Sequence, residues 1–306
     1  MKHSRVTKVP HRSEKTDYVG YSKRLDALCT RLKDAGYRVE SSRLDAYRKT
    51  FATNELLIRE NRISELLSEI PFPTFLNDFH ESNEILEACD EFSDLTTPGL
   101  RDRLERVLSG RGELREETPD TGGPRNLLFE LVMAATLKRS GFLVRLDRIE
   151  DVSFEIAGGP CFVECKRIYS QKKLGERIAG AASQIRKRCD DSRNSRAAGI
   201  VAVDVSRLLN PGTHLFDCET LDTLSLETER LLEAYRALHI STLQSVQERH
   251  VLGVYVYARL PGAVRQPVGL WTARKAIFII LHSPSTKSGK LAFKFFEQIK
   301  SAISGW

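Results

Sequence analysis

Residues 126–137 read NLLFELVMAATL, residues 151–156 read DVSFEI and residues 161–166 read CFVECK, and these three segments decide the fold. In the first, Glu130 is the only charge among apolar or small residues, which predicts a helix buried against other structure. The other two alternate polar with apolar residues, which is typical of strands that bury one face. The sequence therefore predicts a helix followed by paired strands, with a further helix over 174–189.

The flanking sequence extends this pattern in both directions. Strands are predicted at 142–147, 151–157, 161–168, 198–205, 251–257 and 276–281, and helices at 124–140, 174–189, 217–247 and 290–303. Because helices alternate with strands after an initial strand trio, the fold class is α/β (α+β), a mixed β-sheet flanked by helices.

The first third of the chain shows only helical periodicity. Helices are predicted at 21–37, 43–70, 75–92 and 98–109, and a polar run rich in Gly and Pro follows up to Pro124. This predicts a flexible basic tail over 1–18, an all-helical N-terminal region over 19–120 and an α/β domain over 121–306.

Composition narrows the class of protein. The 306 residues are 41% hydrophobic and 29% charged, which is typical of a globular protein. The apolar run at 276–281 is too short to span a bilayer, so we expect no membrane partner. The six cysteines form no CxxC pair, and a reducing cytosol suits them better than a disulfide framework or a zinc site. We therefore expect a cytoplasmic protein.

The net charge of +6 is unevenly distributed. Residues 1–50 contain 13 Lys and Arg against 6 Asp and Glu, residues 51–120 contain 7 against 17, and residues 121–200 contain 15 against 9. Basic charge thus surrounds the central strands and is compatible with a polyanionic partner, which charge alone does not establish.

Four charged residues in the central stretch are predicted to converge. Side chains alternate along a strand, so Glu164 and Lys166 share one face, and pairing of the two strands brings Asp151 beside them. Glu130 lies on the apolar stripe of the preceding helix, where a carboxylate needs a partner, a metal ion or a raised pKa. Three carboxylates and a lysine at one point would bind Mg²⁺ through hard oxygen ligands.

Each of these residues also has a simpler interpretation. Glu164 and Lys166 alone would be an ordinary solvated strand face, and Asp151 alone a turn residue. Glu130 alone could pair with a nearby arginine such as Arg125 or Arg145. Their combination, order and spacing favour a site over these separate explanations.

The same residues resemble the pattern of the PD-(D/E)XK nuclease superfamily, which has a restriction-endonuclease-like fold. That pattern is a helix with Glu, a strand that begins with Asp, and a strand with Glu-x-Lys, and it corresponds here to Glu130, Asp151 and Glu164-Cys165-Lys166. Glu150 stands where the family has proline. The order of elements over 124–205 is similar to the αβββαβ nuclease core.

The resemblance implies a metal-dependent reaction. Asp151, Glu164 and the Cys165 carbonyl would bind Mg²⁺ or Mn²⁺, and Glu130 would complete or tune the metal site. Lys166 would be the catalytic lysine, and Gln184 matches a helix glutamine that some members carry after the lysine. The expected activity is that of a Mg²⁺-dependent deoxyribonuclease, a hydrolase of phosphodiester bonds such as an endonuclease.

Partners and pathway follow from the same resemblance. DNA is the expected substrate, RNA is not excluded, and family analogy suggests antiviral defence or genome maintenance in bacteria. Cations after the site support contact with phosphates: Lys166, Arg167, Lys172, Lys173, Arg177, Arg186, Lys187 and Arg188, against the single acid Glu176. Cutting both strands of a duplex usually takes two sites, so a homodimer is expected.

Two alternatives remain open at this point. The chain could be a catalytically inactive member of the superfamily that binds nucleic acid through the same surface. It could also be an interaction subunit that binds a protein partner through the acidic, helical N-terminal region. The presence of all four charged residues favours the enzyme over both.

Overall fold

The computed structural model describes residues 6–9, 14–16, 18–60, 72–110, 123–148, 151–211, 214–246, 248–266 and 268–304. Nine helices and nine strands lie within these ranges. The predicted fold class is confirmed: a mixed β-sheet is flanked by helices, and helices also form the region before it.

Four helices precede the central stretch, and their bounds agree with the sequence prediction in three cases. They are α1 (Tyr18–Asp34), α2 (Arg43–Arg59), α3 (Phe72–Glu91) and α4 (Pro98–Leu108). Gly36 ends α1 with a φ of +82°, a backbone conformation that glycine adopts without steric cost. The single long helix predicted over 43–70 is present only as α2, and residues 61–70 lie outside the described ranges.

The remaining elements build one sheet and its covering helices. In chain order they are α5 (Gly123–Arg139), β3 (Val144–Arg148), β4 (Asp151–Ile156), β5 (Gly159–Arg167), α6 (Leu174–Asp191), β6 (Ala198–Asp204), α7 (Ser206–Leu209), β7 (Phe216–Thr220), α8 (Leu221–Leu243), β8 (Val251–Gln266), β9 (Val268–Ile280) and α9 (Lys287–Ser304). Seven strands run in the order β1-β9-β8-β6-β5-β4-β3, in which β1 is Val6–Val9 near the start of the chain. The β5–β6 and β6–β8 pairs are parallel, whereas β3–β4, β4–β5 and β8–β9 are antiparallel.

The N-terminal segment differs from the prediction of a flexible tail over 1–18. Its described residues form β1 (Val6–Val9) and β2 (Glu14–Thr16), and both strands pair with β9 in antiparallel orientation. The basic composition of this segment predicted a flexible tail. The prediction was wrong because these short strands are stabilised by pairing with β9, which is distant in the chain, and such pairing leaves no pattern in the local sequence.

A second correction concerns the long helix predicted over 217–247. Residues 216–220 instead form β7, which pairs in parallel with the far end of β8, and α8 begins at Leu221. Thr220 caps that helix by accepting a hydrogen bond from the Thr223 amide at 3.2 Å. The strands β8 and β9 are also longer than predicted, since they continue together as a hairpin up to Gln266 and Val268.

Each face of the sheet has its own hydrophobic core. On one face, Cys161, Val163 and Cys165 of β5 pack in one buried cluster with residues of α1 to α5 and α9. On the other face, the buried stripe of α6 packs with β6 and α8. The helical N-terminal region and the sheet therefore share one core, and the boundary predicted between residues 120 and 121 lies outside the described residues.

Candidate active site

The candidate site lies where β4 and β5 pair. Val152 is opposite Val163 in this antiparallel ladder, so residue 151 occupies the next register position, beside Glu164. Val152 and Val163 are buried in the α5-side core. Because side chains alternate, Glu164 and Lys166 share the opposite face, as the sequence predicted. In the structure, α6 covers that face.

Glu164 is the centre of the charged cluster. It is only 4% exposed, and Lys166 Nζ donates a hydrogen bond to its Oε2 atom at 3.0 Å. Arg188 of α6 forms an ion pair with the other carboxylate oxygen, Oε1. A buried carboxylate needs such partners because leaving it unpaired in a low-dielectric environment is costly. Both oxygens of Glu164 therefore face a cation.

Glu130 approaches from the other face of the sheet. Its Oε2 atom lies 3.4 Å from Nε of Arg103, a fully buried residue of α4. Burial raises the pKa of Glu130 above its ordinary value, and Arg103, Lys166 and Arg188 each oppose that rise. The two cations of the Glu164 cluster thus act on Glu130, whose ion-pair partner is Arg103. Of the two arginines suggested by the sequence, Arg125 pairs with Glu81 and Arg145 with Glu155.

The remaining predicted residues lie close by in the fold. Asp151 begins β4 at the register position beside Glu164, and its side chain lies outside the described part of the structure. Cys165 is buried in the core on the α5 side, where burial raises the pKa of its thiol well above the ordinary value. Its side chain therefore takes no part in the charged cluster. Gln184 is exposed on α6, one turn before Arg188.

An open cleft of ≈ 990 Å³ connects Lys166 with α6. Gln184 lines this cleft together with the cations Arg177, Arg186 and Lys187. The acids Glu176, Asp190 and Asp191 also line it, so its charge is mixed. The cleft is open to solvent, and it is lined by Lys166, the cation that contacts Glu164.

Two of the cations expected to contact phosphates are used inside the protein instead. Arg167 is buried, and its guanidinium pairs with Glu84 at 2.6 Å and with Asp204 at 3.0 Å. Arg188 is held by Glu164. Fewer cations of this basic segment are therefore available to phosphates than the sequence predicted. The sequence shows the charge of each side chain, but it does not show which acid, distant in the chain, will pair with it.

The acids of α3 explain part of this difference. Glu81, Glu84 and Glu87 recur every three residues and are all buried. Their ion-pair partners are arginines on other elements, namely Arg43, Arg125, Arg139, Arg167, Arg259 and Arg274. Three of the seventeen acids counted in 51–120 are therefore internal and do not contribute to an acidic surface.

The donor atoms suit a hard divalent cation. Glu164 and Glu130 supply carboxylate oxygens, and a third acidic residue stands at register position 151. Among side chains in the described ranges, no group of three or more His, Cys, Asp or Glu residues lies close enough to hold a metal ion. Since Arg188 and Lys166 occupy the oxygens of Glu164, a metal ion would have to compete with Arg188 for that carboxylate.

Comparison of the chain with protein-family models, with curated proteins and with solved structures found no match. None of the helices in the described ranges combines the length and apolar character needed to cross a bilayer.

Proposed function

We propose that this chain is a metal-dependent nuclease that hydrolyses phosphodiester bonds in DNA, in bacterial defence or genome maintenance in the cytoplasm. The observation that carries the proposal is the position of Glu164 and Lys166. The two side chains are in contact at the carboxyl end of β5, beside register position 151 and at the edge of the α6 cleft.

The roles of the residues follow from their chemistry. Asp151, Glu164 and the Cys165 carbonyl would hold Mg²⁺ or Mn²⁺, and Glu130 would tune their environment. The bound metal ion would polarise the phosphate and lower the pKa of a coordinated water. Lys166, a cation in contact with Glu164, would orient the attacking water and offset the negative charge that develops on the phosphate.

The α6 residues would position the nucleic acid. Arg186 and Lys187 are exposed on the cleft wall and would contact backbone phosphates. Gln184, one turn before Arg188, would donate a hydrogen bond to the strand beside Lys166. Arg188 would hold the Glu164 carboxylate in place until the metal ion binds.

One observation favours a second candidate function. Lys166 and Arg188 each form an ion pair with one oxygen of Glu164, an arrangement that needs no metal ion. A protein with this arrangement could bind nucleic acid through the α6 cleft without cutting it. The third possibility is a protein partner bound by the helical N-terminal region, to which the buried Glu81, Glu84 and Glu87 are not accessible.

An incubation series separates these functions. The protein would be mixed with plasmid, linear duplex and single-stranded DNA and with RNA, with and without Mg²⁺ or Mn²⁺, beside the variant Lys166→Ala. The matched control is Lys49→Ala, which removes an exposed lysine of α2 that belongs to neither the site nor the basic run. Metal-dependent cutting that is lost only in Lys166→Ala supports the nuclease.

Other outcomes contradict it. Tight binding without cutting by either protein would support the nuclease-like binding subunit, and absence of binding would support the interaction subunit. Light scattering on the same preparations measures the molecular mass and so tests the expected homodimer. A protein that has the mass of a monomer and still cuts both strands of a duplex would contradict that expectation.

A further inference from the structure

A second cavity, separate from the candidate active site, lies at the carboxyl ends of β5 and β6. Its volume is ≈ 70 Å³, about the space of one small group, and residues of α3 and α7 line it. Its charged lining consists of four arginines and two acids: Arg125, Arg167, Arg207, Arg259, Glu81 and Asp204. Four positive charges against two negative leave this lining with an excess of two positive charges.

Ion pairs hold the deep arginines in place. Arg167 contacts both Glu84 and Asp204, and Arg259 contacts Glu84 at 2.9 Å through Nη1. One carboxylate, Glu84, therefore bridges two guanidinium groups, each of which has further N–H donors. Donors fixed in this way need little reorganisation when an anion binds.

His80 lines the same cavity beside the arginines. Its pKa is lowered well below the ordinary value, first by burial and then by Arg259, Arg274 and Arg167. The ring is therefore neutral at physiological pH and adds no further charge. Its Nδ1 atom lies 3.4 Å from Thr272 Oγ1, which fixes the ring orientation beside the arginines.

Arg207 of α7 differs from the deep arginines. Its guanidinium lies over the ring of Tyr169, 5.1 Å from the centroid, which holds its plane. The side chain is partly exposed, and within the described ranges it forms no ion pair with an acid. Arg207 is thus an oriented cation at the cavity whose hydrogen-bond donors are open to a ligand.

We propose that this cavity binds a single phosphate group, with Arg207 as the direct donor and Arg167 and Arg259 supplying the field. Planar guanidinium groups match the oxygens of a phosphate, and the cavity is too small for a whole nucleotide. The site uses neither Lys166 nor Glu164, so the inference goes beyond the proposed nuclease activity and does not depend on it. The phosphate could be free in solution or stand at the end of a nucleic acid.

Binding experiments without metal ions test the proposal. Titration calorimetry in a buffer free of phosphate and sulfate would measure inorganic phosphate binding to the intact protein. Fluorescence anisotropy in EDTA would compare a single-stranded oligonucleotide carrying a 5′ phosphate with the same strand ending in a hydroxyl. Both are repeated with Arg207→Ala and with the control Arg230→Ala, an exposed arginine on α8.

We expect phosphate to bind the native protein and Arg230→Ala alike, and to bind Arg207→Ala about tenfold more weakly, as for a lost charge-assisted hydrogen bond. A preference for the phosphorylated strand that disappears in Arg207→Ala identifies a nucleic-acid end as the source. Equal binding of both strands, beside binding of free phosphate, identifies a small soluble ligand. Absence of both kinds of binding, or binding that Arg207→Ala leaves unchanged, overturns the proposal.

Discussion

The buried carboxylate of Glu81 should make the stability of this protein depend on pH. Glu81 is 1% exposed and contacts Arg43 at 3.2 Å, Arg125, and the Tyr47 hydroxyl at 2.7 Å. Burial alone would raise its pKa, but the two arginines and the hydrogen bonds from Arg125 and Tyr47 outweigh burial and lower the pKa from 4.5 to about 2. The perturbation that tests this is Glu81→Gln, which keeps the shape and removes the charge.

The size and sign of the effect follow from this shift. A fall of the pKa from 4.5 to about 2 corresponds to about 3 kcal/mol of folding free energy. That value lies at the lower end of the roughly 3–5 kcal/mol measured when one partner of a buried ion pair is removed. Because the folded pKa is the lower one, the stabilisation is complete above pH 4.5 and is lost as the pH falls towards 2.

Urea denaturation of the native protein and Glu81→Gln, followed by tryptophan fluorescence, measures this difference. At pH 7 the variant should be less stable by about 3 kcal/mol, and by pH 3 roughly half of the gap should be gone. Glu227→Gln serves as the control, since Glu227 pairs with Arg230 on the surface of α8 and should change stability by less than about 0.5 kcal/mol. A gap that stays constant between pH 7 and pH 3, or one below about 1 kcal/mol at pH 7, would refute the reasoning.

Three further substitutions test the packing, each measured by urea denaturation. Gly253→Ala should lower the free energy of unfolding by about 1–3 kcal/mol, because a Cβ atom there would lie 2.5 Å from Phe278 Cζ and 2.6 Å from the Ile279 carbonyl oxygen. An unchanged urea midpoint would contradict this close approach of β8 and β9. Phe154→Ala should cost about 3–5 kcal/mol, since Phe154 is 1% exposed in the core; a loss below about 1 kcal/mol would show that the core there is loosely packed. Leu238→Ser should leave stability within about 0.5 kcal/mol, since that side chain is 72% exposed on α8; a clear loss would reveal a contact that burial does not show.

The strands, and the strand face on which Glu164 and Lys166 lie, were predicted from the local periodicity of the sequence. Alternation along 161–166 placed Glu164 and Lys166 together and Cys161 with Cys165 on the other face, and the burial pattern confirms both. These relations depend only on the two-residue repeat of a strand, which the neighbouring residues specify. Helix ends were predicted for the same reason, as at Gly36 after α1.

Errors arose where a segment's structure depends on a distant partner. The residues of β7 continue smoothly into the helical pattern of α8, and only pairing with the far end of β8 makes them a strand. The strands β1 and β2 depend likewise on β9. Arg167 was expected to contact phosphates, yet Glu84, 83 residues earlier, pairs with it in the interior.

The amino-acid sequence by itself determined the fold class and the faces of the central strands, including the shared face of Glu164 and Lys166, but it gave no sign of Arg103, the partner of Glu130. The tertiary structure alone decided which cation pairs with which carboxylate: Arg188 with Glu164, Arg103 with Glu130, and the arginines of the sheet with the acids of α3. The physical reason is the difference in sequence separation between the interactions that set local structure and those that pair buried charges. Backbone geometry and side-chain alternation are fixed within a few residues, whereas a buried charge is stabilised by whichever opposite charge the folded chain brings within about 4 Å.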